Sequence, residues 1–396
     1  MQERAPHAIT PNMLEFLFWL SAVLVVYIYI GYPALMGLLA LNKRPVAYDD
    51  SYQPNVSILI AAYNEEKDIA ETLENKIAQQ YPRDRLEILV VSDESEDDTD
   101  QIVQRYARKS DVSIRLLRQT PRQGKTAGLN LIAPEAKGEI IIFSDANSQW
   151  ASDALAKLVR NFADPEVGYV TGKMIYTHDD GSLMGDGCSS YMKYENWLRE
   201  KETAVGSIVG VDGGIDAMRR NLYEPLSPDQ LPDFVQPLKV VEKGWRAIYE
   251  PYALLKEKAL KDSDSEFAMR VRVSLRAIWA LYDMRQLLNP INHGRYAFQL
   301  LSHKVLRYYA FIPLAIMAVT STILSNDGAL YALAFWGQVI VYGLACVGHS
   351  RQSQGQNLST AYGVPYYFTL LNWACFKAAL AFSRGEKKVT WNPRKG

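Results

Sequence analysis

At 396 residues the chain can hold one sizeable α/β domain and further elements, and its net charge of −1, from 43 Lys and Arg against 44 Asp and Glu, excludes a nucleic-acid binder that works through overall charge. The three cysteines, Cys188, Cys346 and Cys375, stand far apart in no metal or disulfide spacing, so they read as small buried residues in a reducing, cytosolic setting.

Residues 16–41 carry no charge, a stretch longer than the ~20 residues a spanning helix needs, and they lack the small-residue cleavage site of a signal peptide. Lys43 and Arg44 follow, which places that flank at the cytoplasm. After a polar linker, Val56-Ser-Ile-Leu-Ile-Ala-Ala-Tyr63 reads as a first strand running into Asn64-Glu65-Glu66. Helical spacing follows over 68–77. Leu86-Glu-Ile-Leu-Val-Val is a second strand ending at Ser92-Asp93, and Asp97-Asp98-Thr99 opens a helix over 102–108 with acidic residues where the helix dipole favours them. Residues 112–117 make a third strand and 139–143 a fourth, ending at Ser144-Asp145-Ala-Asn147. This alternation implies βαβ units and a mostly parallel sheet.

Asp93 and Asp145 therefore end two strands of one sheet and Asn64-Glu65 a third, at the edge where such sheets gather ligands. For either aspartate alone, capping of the next helix is an equal reading. Arg122-Gln-Gly124-Lys125 sets a cation and a flexible glycine before a helix, either for phosphate contact or as a solvated surface lysine. Residues 165–172 read as a turn and another strand. Gly210-Val-Asp212-Gly213-Gly214-Ile-Asp216 admits close approach to backbone, or is a loop before a helix.

Phe267, Val271, Leu275, Ile278 and Tyr282 recur at helical spacing with Arg270, Arg272 and Arg276 off that stripe, the pattern of a helix resting on a membrane surface. Residues 308–326 and 328–348 are uncharged and separated by Asn326-Asp327-Gly328, a membrane hairpin. Residues 364–382 contain Asn372 and Lys377 and are expected along the interface instead of across it. The basic tail from Arg384 is expected in the cytoplasm. A soluble protein with buried helices is the competing reading. The expected division is an N-terminal transmembrane helix (1–45), a cytosolic domain (46–262), amphipathic interface helices (263–304), C-terminal membrane helices (305–383) and a tail (384–396).

The succession Ala62-Tyr63-Asn64-Glu65-Glu66, Val91-Ser92-Asp93, Arg122-Gln-Gly124-Lys125 with Leu129-Asn130, and Phe143-Ser-Asp145-Ala-Asn147 resembles the nucleotide-binding half of glycosyltransferase family 2. It is most similar to the membrane-embedded branch with the cellulose, chitin and hyaluronan synthases, over roughly residues 54–280 plus the membrane arrangement. The resemblance implies an α/β GT-A domain, Rossmann-like, between N- and C-terminal transmembrane helices, and inverting transfer from a UDP- or GDP-sugar. Residue by residue it implies Asp233 as catalytic base, Ala62, Asn64, Glu65, Asp93, Lys125, Asp145 and Arg272 on the nucleotide sugar, and Gly213, Gly214 and Trp245 on the acceptor. Asp145 and Asn147 would hold Mg²⁺ or Mn²⁺. Three departures stand out: Pro232 precedes the base where the family has an acidic residue, Asn147 replaces a common second aspartate, and the Gln-x-x-Arg-Trp motif has no literal copy. Arg272, then Arg270, are candidates for that motif's arginine, with anionic lipid as the alternative ligand. Val389-Thr-Trp391-Asn-Pro-Arg394 resembles the tail motif of hyaluronan synthases.

These implications lead to an integral protein of a bacterial or archaeal plasma membrane, its catalytic domain cytosolic. Its expected partners are a nucleotide-sugar donor, a lipid-linked or oligosaccharide acceptor and membrane lipid, with no nucleic acid. Few hydrophobic segments follow the domain, which favours single additions to a lipid-linked acceptor over a processive, exporting polysaccharide synthase. A catalytically silent scaffold of an export complex is the third reading.

Overall fold

The computed structural model describes residues 11–177, 186–258, 263–356 and 358–387; the Cys188 side chain and the tail motif at 389–394 lie outside these. The centre is an eight-stranded sheet in the order β3-β2-β1-β4-β7-β6-β8-β5. Its strands are β1 (Val56–Ala62), β2 (Leu86–Ser92), β3 (Ser113–Arg118), β4 (Ile140–Asp145), β5 (Gln149–Trp150), β6 (Val167–Thr177), β7 (Ile215–Arg219) and β8 (Arg246–Lys258). The run β3-β2-β1-β4 is parallel, as the strand-helix alternation requires. Beyond it β7 runs antiparallel to both β4 and β6. The Gly210–Asp216 stretch accordingly leads into a strand, not a helix.

The apolar strands follow from burial on both faces. Along β1 the side chains alternate, Ile58 and Ile60 packing into one core and Leu59 and Ala61 into the other. A strand covered on both sides reads as an uninterrupted apolar run, which is what Val56-Ser-Ile-Leu-Ile-Ala-Ala shows.

Register decides where the polar ends meet. Asp145 lies opposite Ala61, and Ala62 opposite Ser92, so β1, β2 and β4 end at nearly one level and present Asn64, Asp93 and Asp145 along a single edge. Because β7 is antiparallel, its first residue Ile215 lies opposite Ser144, which brings Gly213 and Gly214 beside Asp145.

Among the described residues two helices, Asn12–Leu39 and Ala329–Ser353, are long and apolar enough to cross a membrane; a third candidate is the pair Pro290–Tyr308 and Phe311–Ile323, bent by 56°. Much of their apolar surface faces outward, as at Phe16, Ile30, Leu333 and Ile340. The expected hairpin takes the form of Phe311–Ile323 followed by Ala329–Ser353, and Asn326-Asp327-Gly328 falls in the turn between them. The stretch expected at the interface is the helix Thr360–Ser383, which packs on Ala329–Ser353 and on the amphipathic helix Ser263–Asp283. It is not among the helices apolar enough to span.

Candidate active site

Three charged side chains meet at the edge of the sheet. Lys125, the first residue of the helix Lys125–Ile132, places its Nζ 2.7 Å from Asp145 Oδ1 and 3.5 Å from Asp233 Oδ2. Burial alone would push this lysine down, but the facing carboxylates of Asp145 and Asp233 outweigh it and hold the ammonium above the ordinary lysine range. Asp233 stands in the first turn of the helix Pro232–Glu242, where a carboxylate suits the helix dipole. Pro232 is at the position where proline costs nothing, since the amide it lacks has no partner inside the helix. The departure at Pro232 thus helps to start the helix that carries Asp233.

Gly213 and Gly214 adopt φ of +84° and +76°, a region that favours glycine, and they form the wall against which the two aspartates lie. A Cβ on Gly213 would stand 3.0 Å from Asp233 Oδ2, and one on Gly214 would stand 3.4 Å from Asp145 Oδ2. The turn after β4 is fixed from below, where Lys76 Nζ donates to the Ser148 carbonyl over 2.7 Å.

Asp93 is buried and serves the neighbouring loop. Its carboxylate accepts from the Gln119 side chain, from Gln123 N at 2.9 Å and from Gly124 N at 3.0 Å, so it shapes the segment that delivers Lys125. Asn64, at φ +53°, accepts from Glu96 N over 2.8 Å and knits the ends of β1 and β2 together; Ala62 is fully buried, and its carbonyl accepts from Asp93 N. Glu65, Asn147 and Arg272 line the same cavity as Asp145 and Asp233, whose volume is about 640 Å³.

Trp245 is not brought there. It precedes β8 at Arg246, opposite Val167, and lies with Arg219 over its ring at 5.3 Å. Arg219 pairs with Ile140 at the start of β4, the end of that strand remote from Asp145. The glycine-aromatic turn is where the expectation placed it along the chain, but β8 starts at the wrong end of the sheet for an acceptor contact.

The structure gives parts at the site to residues that the sequence reading did not assign to it. Arg276 donates to the carbonyls of Asp229 and Gln230 ahead of the Asp233 helix, and burial lowers its pKa to about 10. Arg199 grips Asp212 with both terminal nitrogens, holding the loop that leads to Gly213. Asp216 is fully buried on β7, and among the described residues its two oxygens find no hydrogen-bond partner of normal geometry. Burial, and then the Asp233 charge, push its carboxyl well above the ordinary aspartate range, while Thr171 works in the other direction.

Residues 57–226 match the family model for glycosyl transferase family 2. Among solved structures, mannosyltransferase PcManGT from Pyrobaculum calidifontis, in complex with GDP-Man and Mn²⁺, matches with a TM-score of 0.76 over 94% of this chain and 99% of that one, at 24% identity. The fold is GT-A. Beta-monoglucosyldiacylglycerol synthase of Trichormus variabilis is 32% identical over 203 residues, 49% of this chain and 43% of that protein. Poly-beta-1,6-N-acetyl-D-glucosamine synthase of Staphylococcus aureus is 25% identical over 220 residues, covering 54% of this chain and 52% of that protein. The chain spans about half the length of the curated relatives it matches. The region matched by the family model, residues 57–226, contains the ends of β1, β2 and β4.

The metal expectation can be weighed on the donor set. Among the described residues no group of three His, Cys, Asp or Glu side chains could hold a metal ion. Asp145, with 39% of its side chain exposed, and Asn147 beside it offer hard oxygen donors at the cavity wall. Two such donors fit a Mg²⁺- or Mn²⁺-type ion that takes its remaining oxygens from water and from the phosphates it accompanies.

Proposed function

We propose that the protein is an inverting glycosyltransferase that moves a sugar from a UDP- or GDP-sugar to a hydroxyl of a lipid-linked or saccharide acceptor at the cytosolic face of a membrane. The observation that carries this reading is the Lys125 ammonium set between Asp145 and Asp233, at one end of a cavity that runs on to the apolar helices.

Each group has a task in that reaction. The acceptor oxygen attacks the anomeric carbon, the bond from that carbon to the diphosphate oxygen breaks, and the hydroxyl proton passes to Asp233. General-base assistance of this kind contributes roughly 10² to 10⁴-fold. Lys125 compensates charge on both sides of the reacting centre, and Arg272 offers a charge-assisted contact to the departing diphosphate. Asp145 and Asn147 would hold the divalent ion, which supplies neutralisation of the leaving phosphates when bound. Asp93, by fixing the Gly124 amide, keeps Lys125 in place. The helices Asn12–Leu39 and Ala329–Ser353 would anchor the domain, with the Lys43-Arg44 flank at the cytosolic side.

The test is turnover by the purified full chain, given a panel of UDP- and GDP-sugars with Mg²⁺ or Mn²⁺ and lipid extract as acceptor, with the anomeric configuration of the product read by NMR. The proposal expects a product of inverted configuration. Retained configuration, or no transfer from any donor, contradicts it. A product ladder of long chains would replace single addition with processive synthesis.

A further inference from the structure

The segment that carries Asp145 and Asn147 is gripped from beneath by the helix Ile69–Ile77, whose side chains have no task in the proposed reaction. Thr72 Oγ1 donates to the Ala146 carbonyl at 2.7 Å, Lys76 Nζ to the Ser148 carbonyl at 2.7 Å and Asn75 Nδ2 to the Trp150 carbonyl at 2.9 Å. Positions 72, 75 and 76 share one face of the helix, so a single element fixes alternate carbonyls of the chain between Asp145 and β5.

Trp150, buried in β5, is held at every polar atom. Besides its carbonyl, its backbone N donates to Asn75 Oδ1 at 2.9 Å, and its indole Nε1 donates to the Gly214 carbonyl at 3.2 Å. Lys76 Nζ stands 4.1 Å from the centre of its ring, a cation–π distance. A Cβ on Gly214 would stand 2.8 Å from Leu255, the cross-strand partner of Trp150, and 3.4 Å from Asp145 Oδ2. Trp150 therefore ties the turn after Asp145 to the glycine wall beside it. Lys76 is an unusual residue for such a place. It is fully buried, and burial pushes it well below the ordinary lysine range, against which the Asp145 charge works. A methionine of similar length would fill the space without desolvating an amine. Packing does not account for the lysine, whereas the Ser148 carbonyl and the Trp150 ring do.

We propose that Trp150 and Lys76 are positioning residues of the donor site, which together hold the Asp145–Asn147 turn against the Gly214 wall and so keep the Asp145 carboxylate where it would hold the divalent ion. Neither side chain lines the cavity, and both act through the groups they hold. This rests on the transferase reading above and places part of the control of donor affinity behind the site.

The test titrates the purified full chain with Mn²⁺ in the presence of GDP or UDP, followed by electron paramagnetic resonance, and records thermal unfolding of the same samples. W150F keeps a ring beside Lys76 and loses the indole donor, whereas K76M keeps the length of the side chain and loses its hydrogen bond. Each is expected to weaken Mn²⁺ binding with nucleotide by about fivefold, as the loss of one hydrogen bond implies. K76M/W150F should weaken it by less than the product of the two losses, because the residues act through one contact. V103A, a cavity in the same core beneath another helix, should lower Tm and leave that affinity unchanged. If K76M does not fold, W150F alone decides. Unchanged affinity in either folded variant overturns the proposal. So do losses that multiply in the double variant, or an equal loss in V103A, which would mark the effect as one of stability. A wild type that binds neither nucleotide with Mn²⁺ overturns the transferase reading and this inference with it, whereas intact binding that W150F and K76M leave unchanged removes the positioning roles alone.

Discussion

Asp216 shows how a single residue shapes the site without reaching its surface. It is an acid held where its charge is poorly solvated, and its folded-state pKa lies above the ordinary aspartate value. The sign of the consequence follows from linkage. Below the ordinary value of ~3.9 the group is protonated both folded and unfolded and costs nothing. As pH rises from there to the folded pKa, the folded state loses about 1.4 kcal/mol for each pH unit, and above the folded pKa the loss stays constant. Asp216→Asn removes the titration while keeping the shape. The variant should melt close to wild type at pH 4 and a few degrees higher at pH 8, read by thermal unfolding at both values. An advantage equal at the two pH values would show that the folded-state pKa of Asp216 is not raised. At this scale the sequence was informative wherever a strand-end pattern pointed at a carboxylate, as for Asp145. It did not show the parts played by Asp216 and Arg199, because these come from which groups of distant segments face them.

The elements around the site divide in the same way. The parallel half of the sheet could be read from apolar runs spaced by helices, since burial on both faces leaves an unambiguous pattern in Val56-Ser-Ile-Leu-Ile-Ala-Ala and its neighbours. In the second half the strand at 165–172 could be read but the strand directions could not, because direction is fixed by a strand's connections and not by its composition. β7 runs antiparallel to β4, so the glycine stretch, for which a loop before a helix was the alternative reading, leads into a strand and carries Gly213 and Gly214 to Asp145 and Asp233. The same topology moves Trp245 to the far end of the sheet. Alanine at Gly213 would have to adopt an unfavourable positive φ, at a cost of roughly 1–2 kcal/mol, and set a methyl against Asp233 Oδ2. Gly213→Ala should therefore lower the melting temperature modestly and kcat by about tenfold or more, since small misplacements of reacting groups are expensive. An unchanged kcat would mean that the loop does not position the base.

For the whole molecule, the proposed function assigns the chemistry to the GT-A domain and the anchoring to the apolar helices. The cavity joins Lys125, Asp145 and Asp233 to the wall formed by Tyr29 and Phe368, so the domain and the helices share one site. The sequence told of both parts through hydropathy and motif order, but the passage between them exists only in three dimensions. The proposed reaction turns on Asp233. The direct measurement is sugar transfer by purified Asp233→Asn alongside calorimetric binding of its nucleotide donor. Donor affinity close to wild type with transfer reduced by at least about 10²-fold is the expected result. Transfer at near wild-type rate, with donor binding intact, would contradict the assignment of Asp233 as the base.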